Sequence, residues 1–483
     1  MDQLLGFLGL CTLFLVVQCL YTRYSGGLGA IPGPFLASFS NLWKVVAVYT
    51  DQMPHKNIDV HRKYGPVVRI GPNHVSFSTP EALRVIYGSR QAYPKSSFYD
   101  MSSPPYEGKP LLHMFSIRDV DYHASIKKHI GVLYTKAAIL DLEPKIDDCL
   151  RLFRRKIEEK TQNGPVVLNM SLWPHLFAFD CLADINLSTY FGFLESGSDT
   201  QGFIKSADQI LADTGMVAIS LTLALPLVRV ASHSIQQAST ETKRRLEKPI
   251  QSSDMLNRLL KLREADPGKL SEREIIAALF INIMAGNDVL AVTLRSILYY
   301  VARTPHVEKK LRAELAAQAE VYKLSEAIPY STLAKLPYLD AVIHESLRIH
   351  GNLGLIIERQ VPPEGVVLDG YRIPGGTVVG INAWVIHRNR DIFGEDVDTF
   401  RPERWLEGSE DAVSEMRKNI FSFGAGPRMC VGRNMAMMQV FKFTAEFYRH
   451  FTAELVDPKK DWYVCGSWVS KQSGMDMLVG QCA

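Results

Sequence analysis

Residues 421–436 read FSFGAGPRMCVGRNMA, and they restrict the fold more tightly than any other stretch. One cysteine, Cys430, stands among Gly424, Gly426 and Gly432, with Pro427 and Arg428 before it and a helical pattern after it. Glycines let the backbone turn tightly and lie close against a flat ligand. A cysteine at a helix N-terminus meets free N–H donors and the positive end of the helix dipole, and both favour the thiolate. Arg428 offers a planar fork for a carboxylate on the same ligand. A cysteine is more often a small buried apolar residue. The glycines and the arginine argue against that bland reading here.

A second feature lies upstream. Ser271-x-x-Glu274 is a capping box that opens an apolar helix running to about Arg303, just before Pro305. In its middle MAGNDVLAV, residues 284–292, sets Gly286, Asn287 and Asp288 side by side. Glycine weakens a helix, and a buried carboxylate needs a partner. Breaking two local rules at one place points to function.

Elsewhere the pattern is mixed. VVRIGPNHVSFS, residues 67–78, reads as a hairpin, and Pro80-Glu81 opens a short helix to Tyr87. From about Asp119 to Val301 the pattern is mainly helical, and helical patterns follow at 307–319 and 331–349. Leu355 to Val361, Gly365 to Arg372 and Thr377 to Ile381 read as short strands. A helix from near Cys430 to about His450 is followed by further short strands.

The N-terminal stretch Leu4 to Leu20 has no charge and is about as short as a bilayer span can be. It lacks the basic start and small-residue cleavage site of a secretory signal, so we read residues 1–22 as a retained membrane anchor. Arg23 after it favours a cytosolic body. Residues 23–39, with Pro32, Gly33 and Pro34, form a stiff hinge, and 40–483 a single domain without interior linkers. Seven cysteines without a CxxC pair suit a reducing cytosol and argue against zinc fingers. Asn169 and Asn186 match glycosylation acceptors that a cytosolic body would leave unmodified. The net charge of +3 is close to neutral, and clusters such as Arg154-Arg155-Lys156 share helical faces with acids, so no nucleic-acid partner is expected.

A thiolate backed by peptide donors, with an anion-binding arginine beside it, is what haem iron needs for oxygen chemistry. Phe423, Gly426, Arg428, Cys430 and Gly432 match the haem-binding loop of cytochrome P450, and the chain resembles that family along essentially its whole length. Glu345 and Arg348 in HESLRI, with Arg404 in FRPERW, resemble the family's buried Glu-x-x-Arg/Arg triad. His123 and Lys127 resemble a propionate-binding pair, with Lys where the family often has Arg; Arg359 resembles another propionate ligand, and His387 a weaker one. The stretches 358–405 and 116–124 are similar to fungal enzymes of the pisatin demethylase type.

The resemblance implies a mainly α fold with small β-sheets and haem b on Cys430. It also implies NADPH electrons through NADPH-cytochrome P450 reductase, with cytochrome b5 as a second donor. Lys127, Lys128 and Arg433 would steer the acidic reductase. The implied location is the endoplasmic reticulum membrane, single-pass, and the implied substrate a lipophilic fungal secondary metabolite. The pocket walls would come from 97–115, Ala285 and Val289, 352–357 and 466–469. They carry Lys109 as their basic residue, so a carboxylate substrate is disfavoured.

Ala285, Gly286 and Asp288 match the family's oxygen-binding motif, in which Gly286 would open the helix and Asp288 would join a proton path. Val289 stands where the family has Thr, without a hydroxyl to hold water; Thr293 is one turn further on. Three readings stay open at that position. A substrate hydroxyl or a water on Asn287 supplies protons. The enzyme uses oxygen before O–O cleavage. Or it catalyses rearrangement, ring expansion or dehydration without oxygen insertion. A haem carrier without turnover is the non-enzymatic alternative.

Overall fold

The computed structural model describes residues 2–24, 26–88, 93–199, 202, 204–205, 228–323, 326–466 and 468–482. The helical expectation over 206–227 lies outside these, as does the wall position Ser467.

The main elements in chain order are α1 (Asp2–Tyr24), α2 (Leu42–Tyr49), α3 (Met53–Tyr64), β1 (Val67–Gly71), β2 (His74–Phe77), α4 (Pro80–Tyr87), α5 (Val120–Ile130) and α6 (Glu143–Thr161). There follow β3 (Val166–Asn169), α7 (Trp173–Leu187), α8 (Val228–Glu247), α9 (Met255–Ala265), α10 (Glu272–Ala302), α11 (Pro305–Ala316) and α12 (Pro337–Ile349). The C-terminal part adds β4 (Arg359–Gln360), β5 (Val378–Ile381), α13 (Arg433–His450), β6 (Phe451–Leu455), β7 (Tyr463–Gly466), β8 (Ser470–Ser473) and β9 (Asp476–Gln481). The mainly α class with small sheets is observed.

Helix α10 is the axle of the core. Its capping box forms as read: the Glu274 N–H bonds to the Ser271 hydroxyl and the Glu274 carboxylate returns to the Ser271 N–H. Ile275, Ile276, Leu279, Ile283, Leu290 and Leu294 pack with Phe153 of α6, Phe177 and Leu182 of α7 and Phe443 of α13 in one buried cluster. Each such side chain contributes about 1.5–3 kcal/mol on burial. By length and composition α10 passes for a membrane span, but most of it is buried inside the protein.

Strands β1 and β2 form the expected hairpin, and β5 joins β2 in parallel, pairing His74 with Val378, in a sheet of order β1-β2-β5-β4. A second sheet has the order β6-β9-β3, and β7–β8 stands as a separate hairpin. Three expectations change. Gly365 to Arg372 is a hairpin, Val366–Leu368 against Tyr371–Ile373. Asp369 and Gly370 turn it with φ of 47° and 80°, the double positive φ that an Asp-Gly pair supplies. The helix expected over 331–349 breaks into Tyr330–Leu333 and α12, because Pro337 starts a new helix at its first turn. Of Leu355 to Val361 only Arg359–Gln360 pairs.

Helix α1 carries exposed Leu10, Leu13, Phe14, Val16, Val17 and Leu20. Its C-terminal carbonyls are capped from β1: Arg69 donates to the carbonyls of Arg23 (2.9 Å) and Thr22 (3.3 Å). The expected hinge is strapped down as well. The Arg69 N–H bonds to the Pro32 carbonyl at 2.8 Å, and a Cβ on Gly33 would collide with the Arg69 carbonyl.

Candidate functional site

The loop before α13 is built as its glycines require. Gly424 and Gly426 take φ of 69° and 65°. At Gly426 the backbone presses on α4 so closely that a Cβ would overlap the Tyr87 carbonyl. The Cys430 N–H bonds to the Phe423 carbonyl at 2.9 Å, which folds the loop back on itself. Among the described cysteines Cys430 is the exposed one, although protein atoms surround its thiol. Burial pushes the thiol pKa up, while the N–H groups of Gly432 and Arg433 and the charges of Arg433 and Lys127 pull it down. The Arg433 guanidinium lies 5.8 Å over the Phe423 ring.

His123, Lys127, Arg359 and Arg428 come together from α5, β4 and the cysteine loop. They line one cavity of about 370 Å³ with Tyr87, Tyr93 and Pro427. Arg428 donates to the carbonyls of Ile117 (2.5 Å), Arg118 (3.0 Å) and Asp119 (3.1 Å), and Lys127 donates to that of Pro427. Lys95 joins them, and the sequence reading missed it. It is buried, donates to the Phe115 carbonyl, and lies 4.1 Å over the Tyr99 ring and 4.4 Å over that of Phe115. A lysine inside YPKSSFY was the available signal.

These cations depress one another. Burial, then Arg428, Lys95, Lys127 and Arg359, bring His123 down to about 3. Burial and then Arg359 bring Arg428 down to about 10. Burial, Arg359 and Arg428 hold Lys95 well below its ordinary value. Basic side chains gathered this closely call for an anionic ligand. A flat group with two carboxylates at one edge, approached by a thiol at its face, meets that demand.

Across α10 the exposure pattern shows which face is open. Ile281 and Val289 are half-buried and Ala285 exposed, while Ile283, Asn287, Asp288 and Leu290 are buried. The spacing of four places Ile281, Ala285 and Val289 on one face. Asn282, Gly286 and Asp288 face α7. A Cβ on Gly286 would lie 2.7 Å from Leu182 Cδ1. Asn282 donates to Asn186 at 2.9 Å, and Asp288 Oδ1 lies 2.9 Å from His175 Nε2. Helix α10 is continuous from Glu272 to Ala302, and Gly286 permits close approach of α7. Lys471 Nζ of β8 stands 2.5 Å from the same Asp288 oxygen. Burial alone would raise the Asp288 pKa, but Lys471 and His175 hold it far below the carboxylate range.

Asn287 donates to the Ile283 carbonyl, and its Oδ1 is buried without a hydrogen bond. The Thr293 hydroxyl donates to the Val289 carbonyl (3.1 Å) and accepts from Asn352 (3.4 Å).

Glu345, Arg348 and Arg404 lie outside the lining of that cavity and form a buried network of their own. Arg348 clasps Glu345 through two bonds of 2.9 and 2.7 Å, and Arg404 adds a third at 3.0 Å. The Trp405 indole (3.0 Å) and the Arg401 N–H (2.9 Å) complete the carboxylate's shell. Their link to the cysteine loop is His387. It accepts from the Phe421 N–H at 2.7 Å, so its Nδ1 carries the proton and donates to the Arg348 carbonyl at 3.0 Å.

Residues 32–470 match the family model for cytochrome P450. A cytochrome P450 monooxygenase of Aspergillus flavus is 34% identical over 93% of this chain and 92% of its own length. The cytochrome P450 monooxygenases cicH of Emericella nidulans (32%, 94% of each chain) and gsfF of Penicillium aethiopicum (32%, 96% of each) are similar to it as well. A cysteine loop, a cationic edge and an apolar helix face thus meet in a chain matched along nearly its whole length, and the chain belongs to the cytochrome P450 family, monooxygenases that carry a haem-thiolate iron and draw electrons from a reductase.

Proposed function

We propose that this enzyme hydroxylates or oxidatively demethylates a lipophilic fungal secondary metabolite, using O2 and NADPH-derived electrons. The carrying observation is apolar character: Ile281, Ala285 and Val289 share one face of α10, and Val292 of the same helix clusters with Leu355, Trp468 and Val469. Lys109, the basic residue expected among the walls, lies exposed on the surface, where its carbonyl accepts from Arg273 (2.8 Å). Apolar side chains with few polar groups among them suit a lipophilic ligand.

In this reading Cys430 would hold the haem iron through its thiolate, and Arg428, Arg359, Lys127, His123 and Lys95 would hold the propionates. When bound, the haem would supply activation of dioxygen. The N–H groups of Gly432 and Arg433 hold negative charge on Cys430 Sγ. Val289 and Ala285 would exclude water from the open face of α10. Exposed Lys128 and Arg433 face the reductase, while Lys127 is turned toward Pro427. Residues 1–22 anchor the enzyme in the endoplasmic reticulum membrane, 23–39 form the hinge and 40–483 the catalytic body on the cytosolic side.

A second reading has a specific observation behind it. Val289 carries no hydroxyl and that of Thr293 is engaged by the Val289 carbonyl and Asn352, which also suits rearrangement, ring expansion or dehydration. Reaction of candidate metabolites with reductase, NADPH and ¹⁸O₂ tests both. One ¹⁸O per hydroxylated product, or formaldehyde release on demethylation, supports the first. Unlabelled product without loss of a methyl group overturns it in favour of the second. Product-free samples that consume no NADPH above background would leave a haem carrier.

A further inference from the structure

Asp288 is tied to the wrong partners for a simple proton donor. Arg295 Nη2 lies 3.2 Å from His175 Nδ1. A guanidinium has only donors, so Nδ1 must accept and the imidazole proton sits on Nε2, facing Asp288. In the chain Arg295, His175, Asp288 and Lys471 a neutral imidazole and an ammonium thus both approach Asp288 Oδ1. The Asp288 side chain is 2% exposed and that of Lys471 13%. Such a carboxylate is a fixed anchor.

What it anchors is the β7–β8 hairpin, a separate two-stranded sheet that Ser470 also ties to Asn352 and Trp384; two-stranded units are marginal alone. Lys471 lies on β8, and Trp468 precedes it in the same arm. The Trp468 ring packs 4.9 Å from Phe98 and 5.9 Å from Phe115, in a cluster with Tyr99, Val292 and Leu355. Neighbouring bonds keep register with α10: Gln472 donates to the Val292 carbonyl at 3.0 Å, and Arg295 to the Gln472 carbonyl at 3.3 Å. On the other side the Gly354 N–H bonds to the Trp468 carbonyl at 3.0 Å.

We propose that Asp288 and Lys471 form a charged pin that registers the β7–β8 hairpin against α10 and so fixes Trp468 in the wall of the substrate pocket. Both are positioning residues: they act on the ligand through Trp468. Asp288 thereby sets specificity, beyond any part in proton delivery. The inference rests on family membership and holds for either reaction proposed above.

Azole binding to the CO-competent holoenzyme tests it. 4-Phenylimidazole adds an apolar ring to the iron-ligating imidazole, so on this proposal it senses the wall and imidazole does not. Expected is a roughly tenfold weaker 4-phenylimidazole affinity in Lys471→Gln and in Asp288→Asn, with imidazole within about twofold of wild type. The double variant should be no weaker than either single, because the two changes break one interaction. Lys471→Arg, which keeps the charge, should restore most of the affinity. The proposal is overturned if both azoles weaken in the same proportion, if neither does, or if the double variant sums the singles. It is overturned too if Asp288→Asn leaves azole selectivity intact while changing the D2O effect on NADPH-driven peroxide release.

Discussion

Replacing Gly286 with alanine separates two uses of a glycine in a buried helix. If the residue opens α10, its Cβ position faces space, and alanine should stabilise the protein by the helix-propensity difference of about 1 kcal/mol. The structure puts Leu182 there instead, with Cδ1 at 2.7 Å and Cδ2 at 3.4 Å from where the new Cβ would lie. That side chain is 3% exposed and belongs to the main core, so it has little room to retreat. Overpacking of this kind costs about 1–3 kcal/mol. Set against the propensity gain, Gly286→Ala should destabilise by up to about 2 kcal/mol. Leu182→Ala alone should cost about 2–5 kcal/mol through the cavity it leaves. In that background the clash is gone, and Gly286→Ala should recover about 1 kcal/mol. The effect of one substitution therefore changes sign with its neighbour. Urea unfolding of the four proteins followed by circular dichroism reads it. A Gly286→Ala variant more stable than wild type would refute close packing of α7 on α10.

Glu345→Gln removes the charge that Arg348 and Arg404 share, and stranding those buried guanidinium groups should cost about 3–5 kcal/mol; the CO-difference signal per mole of protein should fall several-fold, and a wild-type yield would contradict the role assigned to the triad. Val289→Thr restores a hydroxyl on the open face of α10, so peroxide released per NADPH should fall, and an unchanged ratio would show that proton supply is already complete. His113, His350 and His387 are held neutral by burial, at about 4, 3 and 3 against an ordinary 6.5. Between pH 6.5 and about 4 the unfolded chain therefore binds more protons than the folded one, so stability is full above 6.5 and is lost as pH falls; the urea midpoint should drop from pH 7 to pH 5, and a flat profile would mean these imidazoles are not buried neutral. Lys95→Met should weaken haem retention, measured as transfer to apomyoglobin, by removing one cation from the propionate edge.

Much of the fold and the site is legible in the amino-acid sequence alone. The cysteine loop, the capping box at Ser271, the hairpin at 67–78 and the Glu345–Arg348 pair are patterns of local spacing, and spacing along a helix or turn survives into the folded protein unchanged. The residues of 284–292 also break the rules of a buried helix in plain view. What the break does is decided elsewhere. His175, Lys471 and Leu182 approach from α7 and β8, more than a hundred residues away along the chain in each case. No periodicity in α10 encodes which elements pack on which of its faces. Lys95 escapes a sequence reading for the same reason: a single lysine among aromatics gains meaning only when Arg359 and Arg428 arrive beside it. Local backbone chemistry thus determined the elements and the cysteine loop, while long-range packing decided the partner of every buried charge, because a charge taken out of water is satisfied by whatever the fold brings within a few ångströms.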